Sequence, residues 1–341
     1  MSRRMANLLA SIITAVIVSV SVHLYLDRNP PGGAPAPDTE EPPTVRMAFA
    51  GIAPRQELRL QVQKGYVEVD ELRVWQSIRS QQGNDAGQLA PDAPAALVGS
   101  ELAGLDIASL TRGLRSPDGE REATFRVRFE VKDADANTLL LSWKMLDAQV
   151  VEHEQSPAWS KAVTGARKLR GETRIDRTGA PITARMDGLR VSDPVGQELQ
   201  TLLRRWLAEP APIFPVEPVG HGAVWEITRE LTDGGVRSRQ TQRVEATELR
   251  AQTGRIKLAE GVSGALLTAD VHLGPAMAAF GPSVTSFSAT GDATWEASTG
   301  AIMAPGDAGG TSSARLDLAL GHATMGLRTT VETELFVTRI E

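Results

Sequence analysis

Residues 124–131 read TFRVRFEV, and their alternation of apolar and charged side chains decides the fold class. Phe125, Val127, Phe129 and Val131 fall on one side of an extended chain, and arginine and glutamate side chains fall on the other. Successive side chains of a strand point to opposite faces of its sheet. The pattern therefore predicts an antiparallel sheet with one buried face and one solvated face.

The same period of two recurs in ELRLQVQ (57–63), RLDLAL (315–320) and MGLRTTVETELFV (325–337). Glycine-rich turn signals, such as Asp-Gly-Gly at 233–235, separate runs of this kind. Several runs exceed the usual five or six residues of a strand. The sequence predicts a mainly β fold whose long antiparallel strands form curved sheets or half-barrels. By contrast, the glycine-rich segment 303–313 is expected to form a loop.

One segment, SDPVGQELQTLLRRWLA at 192–208, has the period of a helix. Ser192 or Asp193 can cap its start, Pro194 suits the first helical position, and Glu-Pro at 209–210 ends it. The sequence predicts one amphipathic helix over 192–210 that packs on a sheet face. Its apolar stripe comprises Val195, Leu199, Leu202, Leu203 and Trp206.

The segments on either side of this helix resemble each other. GETRIDRTGAPI (171–182) and GDATWEASTGAI (291–302) both begin with glycine and an acid, and both end in a Thr-Gly-Ala turn before isoleucine. The similarity predicts two related β-rich halves, 44–191 and 211–341, joined by the helix. Chance similarity between two hairpins is the alternative explanation.

The first 26 residues predict a membrane anchor. Arg3 and Arg4 precede an apolar run of 21 residues, 6–26, which is long enough to span the hydrocarbon core. We expect an uncleaved transmembrane signal anchor; a signal peptide cleaved near 19–21 is the alternative. The arginines should remain in the cytoplasm, which places the body on the periplasmic side of a bacterial inner membrane. Residues 27–43 contain six prolines and predict an extended linker.

Composition argues against several function classes. The net charge is −6 at pH 7 and aromatic residues make up 4% of the chain, a composition that does not favour a nucleic-acid partner. Because cysteine is absent, disulfides, thiol nucleophiles and iron–sulfur clusters are excluded. The five histidines lack metal-ligand spacing, and no catalytic or phosphate-binding motif occurs. We therefore expect no enzymatic activity, metal or cofactor.

Residues 212–227, PIFPVEPVGHGAVWEI, connect the predicted helix to the next strand. His221 lies between two glycines, but a strand follows it, so it lacks the helix N-terminus that binds anions. We interpret His221 as a loop residue. The glycines are expected to supply backbone angles or a close approach that a side chain would block, and Trp225 is expected to be buried. The predicted structural linker motif comprises Pro218, Gly220, Gly222 and Trp225.

A helix followed by Pro218, Val219, Gly220, Gly222 and Trp225 resembles the Pro-Val-Gly-x-Gly-x-x-Trp pattern of a family of uncharacterised bacterial exported proteins and lipoproteins. The resemblance spans most of 44–341 and rests on short motifs. It implies an envelope location and a β-rich fold, and it assigns no catalytic residues. Many members carry a lipidated cysteine, which this chain lacks; the predicted anchor would replace it.

An apolar patch over 275–289 contains Met277, Phe280 and Phe287. It is interpreted either as sheet core covered by a loop or as a groove for a lipid or a peptide strand. The sequence thus predicts a membrane-tethered extracytoplasmic binding or assembly protein, with a hydrophobic ligand or another envelope protein as its partner. The alternatives are a scaffold without a small ligand and an envelope hydrolase that uses carboxylates.

Overall fold

A computed structural model of the protein describes residues 42–83, 119–151, 156–187, 194–233, 236–250, 254–269, 282–320 and 323–340. The predicted anchor, nearly all of the linker, Met277 and Phe280 lie outside these residues. Within them, no helix has both the length and the apolar character of a membrane span.

The described residues form fourteen strands and two helices. In chain order these are β1 (Thr44–Phe49), β2 (Ile52–Gln56), β3 (Val67–Gly83), β4 (Gly119–Ala134), β5 (Thr138–Val150), α1 (Pro157–Ala166), β6 (Arg170–Asp176), β7 (Pro181–Asp187), α2 (Pro194–Ala208), β8 (Val219–His221), β9 (Val224–Asp233), β10 (Val236–Arg250), β11 (Arg255–Ala269), β12 (Pro282–Ser298), β13 (Gly306–Leu320) and β14 (Ala323–Arg339).

Twelve of these strands form one sheet in the order β1-β9-β10-β11-β12-β13-β14-β3-β4-β5-β6-β7, and β2 pairs with β8 separately. Every pairing in the large sheet is antiparallel. The pairing of β14 with β3 joins the C-terminal strands (β9–β14) to the N-terminal strands (β3–β7). The prediction of a mainly β protein with a large antiparallel sheet is confirmed.

The same strand register occurs in both sets of strands. Val67 of β3 lies opposite Glu130 of β4, and Val224 of β9 lies opposite Glu245 of β10. One residue further along, the pairing with the following strand is interrupted in each set. The interruption comes after Val131 where β4 pairs with β5, and after Ala246 where β10 pairs with β11. Each interruption shifts the register of the strand that follows.

A positive-φ glycine precedes the first strand of each set. Gly65 has a φ of 86° and Gly222 has a φ of 71°, angles that glycine adopts without strain. The N–H of Gly65 donates to the carbonyl of Val131 over 2.8 Å, and the N–H of Gly222 donates to the carbonyl of Ala246 over 2.8 Å. These bonds and registers align the two sets residue by residue, so that β3 corresponds to β9, β4 to β10 and β5 to β11.

Helix α2 covers the buried face of the sheet with its predicted stripe, whose five side chains are all at most 6% exposed. Sequence analysis did not predict α1 and expected only one helix after the N-terminal anchor. Ser156 caps α1 by accepting the N–H of Trp159 over 3.2 Å, and Pro157 occupies its first turn. The short Ser-Pro signal for this helix was present, but ten residues give too little periodicity to stand out from the surrounding strands.

Two local predictions were wrong. Segment 57–63 belongs to no strand, although Leu58, Leu60 and Val62 are buried. Its backbone instead contacts two turns of the sheet: Leu60 N–H donates to the carbonyl of Arg177 over 2.8 Å, and Gln61 N–H donates to that of Thr299 over 2.6 Å. An alternating pattern shows which side of an extended chain is buried, but such a chain need not be hydrogen-bonded to a neighbouring strand.

Segment 303–313, expected to be a loop, contains the first half of β13. Gly306 serves close packing rather than a turn. A Cβ atom at Gly306 would lie 2.1 Å from the carbonyl oxygen of Thr294 and 2.7 Å from Cε3 of Trp295. The strand therefore needs glycine at this position because the neighbouring strand β12 carries a large indole.

Candidate ligand-binding pocket

The residues of the linker motif have structural contacts. Trp225 is fully buried, and its Nε1–H donates to the carbonyl of Ile213 over 3.1 Å. A Cβ at Gly220 would lie 1.9 Å from the carbonyl oxygen of Ile52, so the chains cross too closely for any side chain there. Pro218 and His221 are exposed.

Phe287 is the one described member of the predicted apolar patch. It is 6% exposed on β12 and packs in the main core. It shares the buried face of that strand with Trp295, eight residues away, which corresponds to about 26 Å along a strand. The structure therefore places Phe287 far from the cavity described next.

A cavity of about 100 Å³ lies between the segment that follows α2 and the buried face of the C-terminal strands. Residues 209–213 form one wall of it. Its floor is formed by side chains of β9 to β12 and β14 together with residues 303–304. The side chains that give it chemical character are the indoles of Trp206 and Trp295 and the polar groups of Glu209, Arg229, Gln242 and Glu260.

Arg229 and Glu209 form an ion pair at the cavity wall. The distance from Nη1 of Arg229 to Oε2 of Glu209 is 2.6 Å, and the two side chains are only 13% and 24% exposed. A partly buried pair of this kind is screened less than a surface pair. Because its opposite charges cancel, the pair adds no net charge to the cavity.

Glu260 is the second carboxylate of the cavity. Its residue is 7% exposed, and its Oε2 accepts a hydrogen bond of 2.9 Å from Nε2 of Gln242. Burial raises the pKa of Glu260 to about 7, while the bond from Gln242, the nearby indole N–H of Trp295 and the charge of Arg229 oppose the shift. Glu260 therefore changes its charge near neutral pH.

Two N–H donors at the cavity make no close hydrogen bond to the described residues. They are Nε of Arg229 and Nε1 of Trp295, and the second lies near the Glu260 carboxylate without bonding it closely. Buried N–H groups are nearly always paired, because leaving one unpaired costs about 1–3 kcal/mol. A ligand atom that accepts hydrogen bonds would satisfy these donors.

The aligned registers reveal a contrast between the two sets of strands. Four buried positions are apolar in the N-terminal strands and polar in the C-terminal strands. The corresponding pairs are Leu72 and Arg229, Phe125 and Gln240, Val127 and Gln242, and Trp143 and Glu260. An apolar face packs stably on helices, whereas buried polar groups cost stability unless they are paired. The opposite contrast occurs at Glu68 and Asp70 of β3, whose counterparts are Trp225 and Ile227. What distinguishes the polar positions of the C-terminal strands is that Arg229, Gln242 and Glu260 line the cavity.

More unpartnered polar atoms lie on the same buried face. Gln240 is 3% exposed, and Gln76, Ser312 and Thr333 are each 1% exposed. One side-chain atom of each has no partner in the described part of the chain: Oε1 of Gln240, Nε2 of Gln76, Oγ of Ser312 and Oγ1 of Thr333. Thr333 lies directly opposite Gln76 in the ladder.

A different polar cluster lies on β3, where Glu68 is fully paired but the carboxylate oxygens of Asp70 make no hydrogen bond to the described residues. The buried carboxylate of Glu68 accepts hydrogen bonds from Tyr66, Ile302, Met303 and Arg339. Asp70 is also fully buried, and burial together with the Glu68 carboxylate raises the pKa of Asp70 to about 9. This cluster fixes the turn after β12 to β3, and neither Glu68 nor Asp70 belongs to the lining of the cavity described above.

The described residues contain no group of three side chains suited to a metal ion. Comparisons with protein-family models, with curated proteins and with solved structures found no match to this chain.

Sequence analysis singled out none of the polar residues of the cavity. The strand that carries Gln240 and Gln242 reads RSRQTQRVE over 237–245, with polar side chains on both faces. Such a strand gives no alternation from which a buried face can be identified. Once Val244 fixes the buried face, the two glutamines at even positions are identified as buried polar groups.

Proposed function

We propose that this protein is a membrane-tethered extracytoplasmic binding protein of the bacterial envelope, and that its ligand occupies the cavity on the C-terminal strands. One observation carries the proposal: buried polar side chains line a cavity at positions whose counterparts in the N-terminal strands are apolar. Natural proteins tolerate such costs mainly where function requires them.

The two sets of strands are proposed to be related halves that arose by duplication, each forming a curved half-barrel. The repeated register, the repeated interruption and the paired glycines Gly65 and Gly222 support this proposal. In the N-terminal half, Trp143 and its neighbours fill the face beneath the helices. The C-terminal half kept the framework and acquired polar side chains.

The proposed localisation in the cell envelope rests on the first 43 residues. An apolar run of 21 residues follows two arginines and precedes a proline-rich linker. Strand β1 begins at Thr44, directly after that linker. A periplasm-specific reporter fused after residue 341 should be active in cells, and activity of a cytoplasm-specific reporter at that position would refute the proposed topology. The resemblance to exported proteins and lipoproteins agrees with this address.

The lining favours a small amphipathic ligand over the hydrophobic ligand first expected. Trp206, Trp295 and Met303 offer apolar contact, and Arg229 and Glu260 offer charge and hydrogen bonds. Ligand pockets typically combine an apolar lining with a few such polar groups. A scaffold that binds only another protein would have no need for these buried polar groups.

A carboxylate-based hydrolase is the second candidate, because Glu209 and Glu260 share the cavity and a pKa near 7 suits a general acid. Against it, the pairing of Glu209 with Arg229 leaves one carboxylate available rather than two. A binding protein should release its ligand unchanged. A hydrolase should convert it, and Glu260→Gln should stop that conversion.

Native mass spectrometry of the full-length protein in mild detergent tests the binding function. We expect a small molecule to accompany the wild-type protein and to be lost from Ala304→Leu, which fills the cavity with three additional carbon atoms. Ala184→Leu on the exposed edge strand β7 is the control and should retain the ligand. A wild-type protein that carries only a protein partner would favour the scaffold.

A further inference from the structure

The cavity has an unbalanced charge when Glu260 is ionised. Its charged lining consists of Glu209, Arg229 and Glu260, and the first two are paired with each other. The bond to Glu260 shown above comes from Gln242, a neutral amide, and no ion pair to Glu260 occurs within the described residues. One net negative charge therefore remains on the largely buried side chain of Glu260, and a ligand cation would neutralise it.

The walls of the cavity also suit a cation. The faces of indole rings attract cations more strongly than those of other aromatic side chains, and Trp206 and Trp295 both line the space. Pro210 and Pro212 lie in the wall segment 209–213. Because proline has no backbone N–H, this wall is rich in carbonyl acceptors and poor in donors.

The unpaired donors add a second requirement. Nε of Arg229 lacks an acceptor, and Nε1 of Trp295 has only the Glu260 carboxylate near it, without a close hydrogen bond. A simple alkylammonium ion offers neither of them an acceptor. A carboxylate ligand would offer acceptors but would bring a third carboxylate into the cavity. A neutral hydroxyl or ether oxygen next to the cationic group satisfies the donors without adding negative charge.

Size sets the third requirement. A cavity of about 100 Å³ is smaller than the apolar cavity of about 150 Å³ that holds one benzene ring, so it suits a ligand of only a few non-hydrogen atoms. We infer that the cavity binds a small organic cation that carries a neutral oxygen acceptor, the chemistry of a protonated amino alcohol, either free or as the headgroup of a lipid. This inference rests on the proposed binding function of the same cavity.

Three probes of equal size separate the requirements. Ethanolamine, n-propylamine and 1-propanol have the same number of non-hydrogen atoms and differ in charge and in oxygen. We expect ligand-observed NMR titrations of the full-length protein in detergent to show ethanolamine binding tightest and 1-propanol weakest, at least about tenfold apart. Equal affinities, or preferential binding of glycine or acetate in the same assay, would overturn the inference.

Two variants test which residues recognise the charge and the oxygen of the ligand. Glu260→Gln keeps the shape and removes the charge, so both amines should bind about tenfold more weakly while 1-propanol is unaffected. Trp295→Phe keeps a ring and removes the N–H, so ethanolamine should lose its advantage over n-propylamine. Glu248→Gln, on the same half and 34% exposed at its side chain, is the control. Unchanged amine binding by a folded Glu260→Gln variant would contradict the role of Glu260.

The wild-type protein provides a test that needs no variant. Glu209 after α2 and Arg229 on β9 are the other charged groups of the cavity lining, and their charges stay paired. Ethanolamine affinity should therefore follow the ionisation of Glu260 and rise severalfold from about pH 6 to about pH 8. A flat profile would show that Glu260 does not bind the cation.

The source of the ligand is tested by competition. Bilayer nanodiscs that contain phosphatidylethanolamine should displace free ethanolamine if the ligand is a headgroup, and nanodiscs of phosphatidylglycerol should not. Displacement by neither would assign the site to the free molecule. Native mass spectra that show another class of molecule lost from Ala304→Leu would overturn this inference but leave the binding function intact. Absence of any ligand would overturn both.

Discussion

The carboxylate of Glu68 accepts a hydrogen bond of 2.7 Å from the backbone N–H of Met303, 235 residues further along the chain. The N–H of Ile302 donates to the same carboxylate over 3.1 Å. One buried side chain on β3 thus fixes the turn between β12 and β13. Because Met303 also lines the cavity, this contact links the pairing of the two halves to the shape of the candidate site.

Replacing Glu68 with glutamine should strongly destabilise the fold. In either orientation the amide NH₂ replaces one of the two acceptor oxygens, so it faces the N–H of either Met303 or Ile302 with a donor. The change also removes the charge that Arg339 contacts at 3.2 Å. We expect the free energy of unfolding to fall by about 3–5 kcal/mol, as for other broken buried pairs. Urea denaturation of the full-length protein in detergent, followed by circular dichroism, measures this change.

Glu71→Gln, three residues further along β3, is the matched control: its side chain is 35% exposed and paired with Arg126, so the change should cost less than about 1 kcal/mol. Equal losses for the two variants would show that Glu68 does not fix the turn.

Asp70 should give the protein a pH-dependent stability. Its pKa is raised to about 9 in the fold, so between its unfolded pKa of about 4 and that value the folded state holds a proton that the unfolded state has lost. Stability must then decrease as pH rises, by up to about 1.4 kcal/mol per pH unit. Between about pH 7 and pH 9 this slope should be flatter in Asp70→Asn, whose amide cannot ionise. Parallel curves for the two proteins would contradict the shift.

The two glycines of the linker motif should differ in their tolerance of alanine. At Gly220 an added Cβ meets the Ile52 carbonyl oxygen at 1.9 Å, whereas at Gly222 nothing lies within 4 Å and the positive φ is the only obstacle. Gly222→Ala should cost about 1–2 kcal/mol. Gly220→Ala should cost more, because two backbones must separate. Thermal unfolding of both variants makes the comparison, and the reverse order would refute it.

Trp225→Ala should destabilise the protein by about 3–5 kcal/mol, because it empties a fully buried indole site and removes the bond to Ile213. His221→Ala should leave both stability and ligand content unchanged, because its side chain is exposed. The opposite result would be a His221→Ala variant that loses the ligand beside a folded Trp225→Phe variant that keeps it. That result would show that His221 is a functional residue.

The strands could be predicted from the sequence because their side chains alternate. Which strands pair, and in which register, could not be predicted. Phe125 to Val131 identify one strand and its buried face, but pairing β14 with β3 depends on contacts more than two hundred residues apart. No local pattern encodes such a partner. Segment 57–63 was wrongly assigned to a strand because alternation shows only which side chains are buried. Its backbone is hydrogen-bonded to two turns and not to a neighbouring strand.

The cavity could not be predicted from the sequence for a related reason. Glu209, Arg229, Gln242 and Glu260 are ordinary charged or amide residues in a chain with 23% charged residues. Only the aligned registers show that Glu260 occupies the position held by Trp143. Sequence analysis favoured the apolar patch that includes Phe287, because apolar residues are conspicuous and buried polar residues require a known fold to be identified.

Two buried threonines on opposite halves should respond in opposite ways to replacement by valine. Thr333 and Thr173 are both 1% exposed. Oγ1 of Thr333 has no partner among the described residues, while Thr173 donates to the carbonyl of Leu207 over 2.9 Å and accepts from Nε1 of Trp143 over 3.2 Å. Valine keeps the shape and removes the hydroxyl in each case.

Thr333→Val should therefore raise the free energy of unfolding by about 1 kcal/mol, because it removes an unpaired buried hydroxyl, and Thr173→Val should lower it by about 1–3 kcal/mol, because it leaves two partners unsatisfied. Urea denaturation of both variants beside the wild-type protein measures the two signs. A loss of stability in Thr333→Val would mean that its hydroxyl is paired, and the polar face of the C-terminal strands would then serve folding rather than binding. A gain confirms that this face retains an unpaired polar group at the expense of stability, as expected of a site kept for a ligand.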